Sequence, residues 1–243
     1  MDTITNRNSV FAVFSKDDGT TVGRLSFVTG LNYPHGAPQY GCCSFHAPSQ
    51  NLVNAFSTTA DGLPDFDSYN DQELSAEEIT PDGVTVDPRI DHSVGMDGHP
   101  YKYRNEEEYI FDNSWVRDPG VYGYFQSMKE QQAADSPSYK KEGPFIGTSV
   151  NIDIIRYADV LLWQAEALIE MNQPEQARPL INQVRNRAAQ STERTKLADG
   201  THPSNYNVEE YDGTNFTWNQ ENARKALRWE RRMEFAPGRA PLL

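Results

Sequence analysis

With 243 residues, 37% of them apolar, and a mean hydropathy of −0.72, the chain is long enough to bury a core without staples, yet polar for a compact globule. Its 35 acidic and 22 basic residues leave a net charge of −13, which argues against nucleic acid and against an anionic lipid face, since both are met by clustered Lys and Arg. No apolar run reaches the length of a membrane-spanning helix, and residues 1–10 lack the basic start and apolar stretch of a signal peptide.

Residues 10–14 (VFAVF) and 25–28 (LSFV) flank Asp18-Gly19 and predict a short hairpin. Residues 30–50 carry three glycines and three prolines among Tyr33, Tyr40 and Phe45, so neither a helix nor a long strand fits. The adjacent Cys42 and Cys43 rarely suit a disulfide and lack the spacing of a zinc site. Residues 50–57 predict a short helix with Leu52, Val53 and Phe56 inward. Ser75 is placed to cap a brief turn that Pro81-Asp82-Gly83 ends. Residues 84–91 open with strand-like alternation and stop at Pro88. From 92 to 115 no period is sustained, and so long an irregular stretch calls for a function and for a scaffold to lie against.

That scaffold is predicted from about Asp153. Ile154, Ile155, Ala158, Leu161, Leu162, Ala165, Leu168 and Ile169 follow the three-four spacing of a buried helix face. Asn172-Gln173 breaks it, and Pro174 suits the first position of a second helix, with Ala177, Leu180, Ile181, Val184 and Ala188 inward. Pro179 is expected in that helix's first turns, where a missing amide costs little. A polar loop over 190–217 leads to a helix opened by Asn219 and running to about Ala236, with Ala223, Ala226, Leu227, Met233 and Phe235 inward. The expected fold is mainly α: a tetratricopeptide-like helix pair plus a further helix, carrying a long loop-rich region with short strands. Residues 1–150 are the loop-rich part and 151–236 the helical scaffold. No second copy of the pair recurs at the repeat period.

Sugar binding uses aromatic platforms rimmed by hydrogen-bonding groups. Tyr33, His35, Tyr40 and Phe45, with Asn32, Gln39 and Asn51 nearby, are the candidate ligand-contact residues. The same aromatics serve equally to pin an irregular loop. Tyr101, Tyr103, Tyr109 and Trp115 read as packing or partner contact. Asp61, Asp65 and Asp67 fit a solvated turn better than a calcium loop, which has a fixed ligand spacing. His92 and His99, close to Asp91 and Asp97, match no metal motif and read as surface histidines. No nucleophile elbow, zinc-protease, P-loop or dinucleotide fingerprint occurs, so no catalytic residue, metal or cofactor is assigned.

Three landmarks recur in order. The first is Arg156-Tyr157-Ala158-Asp159 with Leu161, Leu162, Ala165 and Glu166. The second is Ala177, Ile181-Asn182 and Val184-Arg185 with Arg187-Ala188. The third is Glu230-Arg231-Arg232 with Glu234-Phe235. Together with Asp61-Gly62 and Asp87-Pro88-Arg89 upstream, they resemble the SusD/RagB family of outer-membrane nutrient-binding lipoproteins over about residues 45–236. Members of that family are longer and begin with a lipoprotein signal and a further helical half, so the resemblance implies a C-terminal portion truncated at both ends.

It further implies a surface-exposed component of the outer membrane that delivers oligosaccharide or another small nutrient to a SusC-like TonB-dependent transporter. Membrane association would come only through a lipid anchor absent from this chain. The motif positions Arg156, Asp159, Glu166, Asn182, Arg185, Arg187, Glu230 and Arg231 are expected to hold the scaffold together through charge pairing. With nothing basic clustered in the sequence, the acidic balance suits a neutral sugar. A glycoside hydrolase on a helical scaffold is one alternative, separable by release of reducing sugar. A tetratricopeptide-type peptide-binding scaffold is another, and it would need several helix pairs.

Overall fold

The computed structural model describes residues 9–13, 30–129, 131–143 and 145–236. In chain order these form β1 (Ser9–Val13), α1 (Gln50–Asn54), β2 (Thr85–Val86), α2 (Ile90–Ser93), β3 (Val94–Gly95), α3 (Pro119–Tyr122), β4 (Gln126–Ser127), β5 (Tyr139–Glu142), β6 (Phe145–Thr148), β7 (Ile152–Arg156), α4 (Tyr157–Glu170), α5 (Pro174–Ala189), β8 (Asn205–Tyr206) and α6 (Gln220–Phe235). Among the described residues the strands meet in pairs: β1 with β7, β3 with β4 and β5 with β6 antiparallel, and β2 with β8 parallel.

The helical scaffold is present, but it starts later than the periodicity predicts. Ile154 and Ile155 belong to β7, whose backbone is committed to a ladder with β1 from Ser9 opposite Arg156 to Val13 opposite Ile152. A backbone held in a ladder cannot also supply the first helical turn. The Asp159 carboxylate then accepts the Arg156 amide at 2.8 Å and settles one of the unpaired donors at the helix start. Ala158, Leu161, Leu162, Ala165 and Ile169 are buried on α4. Asn172 turns the chain in the left-handed region (φ 59°) and Pro174 opens α5. Pro179 lies inside α5, beyond its first turn, and its exposed ring forfeits one internal hydrogen bond.

The α6 helix is capped by Asn219, whose side chain accepts the Asn222 amide at 2.9 Å, and packs against both α4 and α5. Ala165, Ala177, Ala223 and Ala226 are all fully buried, so small side chains line the places where the three helices approach. The outer face of α4 exposes Tyr157, Val160 and Trp163 among Gln164, Glu166 and Glu170, with Met171 exposed just past its end.

The loop-rich part does not simply drape over the helices. It has a core of its own, in which Tyr33, Tyr40, Tyr101, Phe111, Trp115, Met128 and Ile146 are buried together. A second core gathers Val53, Phe56, Leu74, Ile79, Val86, Ile90 and Met96 and is joined to α6 through Met233. Aromatic and branched side chains from many short segments therefore replace the long apolar faces that regular elements would supply. In this region the expected short helix forms as α1, capped by Ser49 through the Leu52 amide, but it ends at Asn54; Val53 is buried on it, Phe56 is buried beyond its end, and Leu52 lies at the edge.

Several expectations change. The predicted Asp18-Gly19 turn and second hairpin strand lie outside the described residues, and the described partner of β1 is the distant β7. The β5–β6 hairpin carries no strong period and is a structural finding. The adjacent Cys42 and Cys43, expected to remain unbridged, bring their sulfurs together as a vicinal pair. His99 is buried rather than at the surface, because Asp91 supplies a partner inside: His99 Nδ1 lies 2.6 Å from an Asp91 oxygen. The other Asp91 oxygen accepts the hydroxyls of Ser204 and Tyr206. Burial alone would lower the His99 pKa, but the Asp91 charge and hydrogen bond outweigh it and hold the imidazole above its ordinary value.

Candidate functional site

In the loop at 30–50, backbone bonds from Ser44 and Phe45 back to Tyr33 and Leu31 close the chain on itself. Tyr33 and Tyr40 stack with ring centres 5.1 Å apart, both wholly buried, and Tyr139 meets each of them edge-on. Burial also drives both phenol pKa values up, so these rings stay neutral. Their position is that of side chains pinning the loop. Of the four candidate contact residues, His35 and Phe45 reach solvent, and the Arg117 guanidinium sits 5.2 Å from the centre of the Phe45 ring. Asp67 pairs with Lys225 at 2.6 Å, and Asp65 accepts the Ser68 hydroxyl and amide.

The motif charges converge. Arg89 clasps Asp87 through Nε and a terminal nitrogen at 2.9 and 2.6 Å and reaches Glu230 with its other terminal nitrogen. Arg185 contacts the second Glu230 oxygen at 3.3 Å and donates to the carbonyls of Glu209 (2.8 Å) and Gly62 (2.9 Å), with its guanidinium 4.7 Å from the Tyr211 ring centre. One turn on, Glu234 takes Arg187 at 2.6 Å and Arg156 at 3.4 Å. Asn182 brackets the Tyr211 backbone through both amide atoms, and Arg231 lies 3.4 Å from Glu166. Burial would raise the Asp87 and Glu234 pKa values, but the surrounding guanidiniums hold both below the ordinary range. These two buried carboxylates thus depend on their cationic partners.

Beside this network opens a cavity of about 550 Å³, walled by segments from both parts of the chain. Its lining includes Arg89, Lys102, Lys129, Arg156, Arg187 and Arg194, against the carboxylates of Asp153 and Glu234. The acidic sequence predicts no basic cluster, and the structure corrects this: cations scattered along the chain meet in one place. Lys129 donates to the Glu234 carbonyl at 2.7 Å. Its pKa is held down to about 7, chiefly by burial and by Arg156, Arg89 and Arg187, with Glu234 pulling the other way. Lys102 is held down to about 8 by burial and by Arg194. His92 joins Tyr103 and Ser191 along the wall and is kept neutral mainly by burial. Sequence reasoning singled out neither lysine. The only available signal was Lys102 within an aromatic triplet, and it identifies no site.

Comparison with known proteins places these features in a family setting. The family model described as the SusD family matches residues 8–237. A SusD-like protein of Formosa agariphila is 32% identical over 122 residues, which is 46% of this chain and 23% of that protein. The crystal structure of a SusD-like protein from Bacteroides fragilis superposes with a TM-score of 0.58 at 22% identity, covering 96% of this chain and 41% of that one. The chain thus spans less than half the length of either relative.

Proposed function

The chain belongs to the SusD family, and on that premise we propose that it is part of a nutrient-binding protein of the outer-membrane surface, one that captures oligosaccharide and passes it to a SusC-like TonB-dependent transporter. The observation that carries this reading is the family match across almost the whole chain. The helix pair with its crossing α6 supports it, as a rigid frame for irregular segments. Ligand contact within residues 30–50 is assigned to the exposed His35 and Phe45, with Arg117 beside the Phe45 ring. Tyr33 and Tyr40 hold the loop in shape from beneath.

In this reading the protein binds without chemistry of its own. No helix among the described residues is long and apolar enough to cross a membrane. Membrane attachment is assigned to a lipid anchor. Affinity electrophoresis of the full-length protein through a panel of neutral and acidic polysaccharides tests the proposal. Retardation by at least one glycan, weakened by Phe45→Ala, is the expected result. Unchanged mobility in every glycan would overturn it, and release of reducing sugar from a retarding glycan would reassign the protein as a hydrolase.

A further inference from the structure

The cation-lined cavity holds more positive charge than the ion network uses. Arg89, Arg156 and Arg187 are engaged with Asp87, Glu230 and Glu234. Lys102 and Arg194 are different. Among the described residues neither makes an ion pair, although both line the cavity. The Lys102 ammonium donates to the Met128 carbonyl at 2.5 Å, and the Arg194 guanidinium lies 4.2 Å from the centre of the Tyr103 ring. Lys102 approaches the same ring at 5.6 Å, so two cations share one aromatic side chain.

The backbone there is also in an uncommon state. Lys102 and Tyr103 both occupy the left-handed region, with φ of 54° and 63°. Consecutive non-glycine residues persist in that region only where the surroundings impose it, and such sites cluster at ligand clamps. Like charges gathered in one recess repel one another, and an entering anion relieves that repulsion. The cavity's size is that of a small-molecule site.

We propose that this cavity binds the oxyanion of a small anionic ligand, a carboxylate or a phosphate, between Lys102 and Arg194 with Lys129 behind them. The planar Arg194 fork suits either group in two-point contact, and the lysines add point charge. The two rings at the wall, Tyr103 and His92, offer a hydroxyl-bearing and a flat surface for whatever carries the anion. The site is separate from the loop at 30–50, so it stands or falls independently of glycan retardation.

The test is calorimetric titration of the protein with D-glucuronate, glucose 6-phosphate and inorganic phosphate, at ionic strength fixed with sodium chloride and with glucose as the neutral control. Binding of at least one anion and none of glucose is expected. The glucuronate and phosphate arms distinguish the two sources of the charge. Lys102→Met and Arg194→Gln are each expected to weaken binding about tenfold or more, as for loss of a charge-assisted bond. Both side chains stand outside the buried network, so the melting temperature without ligand should stay near the parent value. Lys102→Arg should restore most of the affinity. Absence of heat with every anion, equal binding of glucose, or wild-type affinity in both charge-removing variants would overturn the proposal.

Discussion

Arg185 donates in three directions from a position that is 1% exposed, to two loop carbonyls and to Glu230. Arg185→Ala would strip the Glu209 carbonyl of its donor, leave the Gly62 carbonyl with only the Glu209 amide, and leave Glu230 dependent on Arg89 alone. Breaking a buried pair from one side costs about 3–5 kcal/mol, and chemical denaturation should show a loss of that size with no separate ligand phenotype. A variant that melts normally yet no longer binds glycan would mean Arg185 belongs to the ligand site instead. Lys129 makes a different prediction. Between about pH 7 and the ordinary lysine range, the unfolded chain keeps a proton that the folded chain has shed. The protonated form is the one burial penalises, so this residue's contribution makes stability rise with pH across that window. Lys129→Met should flatten the rise in melting temperature between pH 7 and pH 9.5 relative to the parent, and an identical slope in both proteins would contradict the assignment. At this scale, residue type was legible in the sequence but burial was not. Tyr33 and His35 are near neighbours in one loop, and only packing separates a ring at 0% exposure from an exposed one.

Among the elements, those with a long period were legible and the short ones were not. The faces of α4, α5 and α6 follow from spacing alone, because a helix repeats its environment every three or four residues. At the β7–α4 junction, Ile154 and Ile155 continue the apolar pattern but belong to the ladder with β1, a pairing that no local signal contains. The start of α4 then rests on Asp159, and Asp159→Ala should cost about 1 kcal/mol, the usual worth of a lost cap. Leu162, fully buried where α4 meets its neighbours, should cost about 2–5 kcal/mol as Leu162→Ala. Equilibrium urea unfolding of the two variants checks the order of these effects. If Asp159→Ala were the more damaging, the helix start would be doing more than capping.

Across the whole molecule, the buried ions tie the loop-rich part to the helices. Asp87 and Arg89 come from the segment around β2 and α2, Arg185 and Arg187 from α5, and Glu230 and Glu234 from α6. Met233 and Trp229 reinforce the joint, the latter donating to the Ala55 carbonyl at 3.2 Å. Hydrogen exchange should therefore find the Asp87 amide, bonded to the Phe56 carbonyl, and the mid-α6 amides opening together as one cooperative unit. Arg89→Ala should release the β2 region to faster exchange before α6 follows. Independent opening in the parent protein would show that the network does not couple the two parts.

The sequence by itself determined the helical frame, its break at Asn172-Gln173, the acidic balance and the family, because each is written in spacing or composition along neighbouring residues. Only the tertiary structure decided which aromatics face water, that Asp87, Arg89, Arg185, Glu230 and Glu234 form one buried network, and that basic residues from Arg89 to Arg194 converge on a single cavity in an acidic chain. The physical reason is the same in each case. These properties depend on contacts between residues far apart in the chain, and folding sets those distances, whereas local pattern records only what a residue's immediate neighbours require.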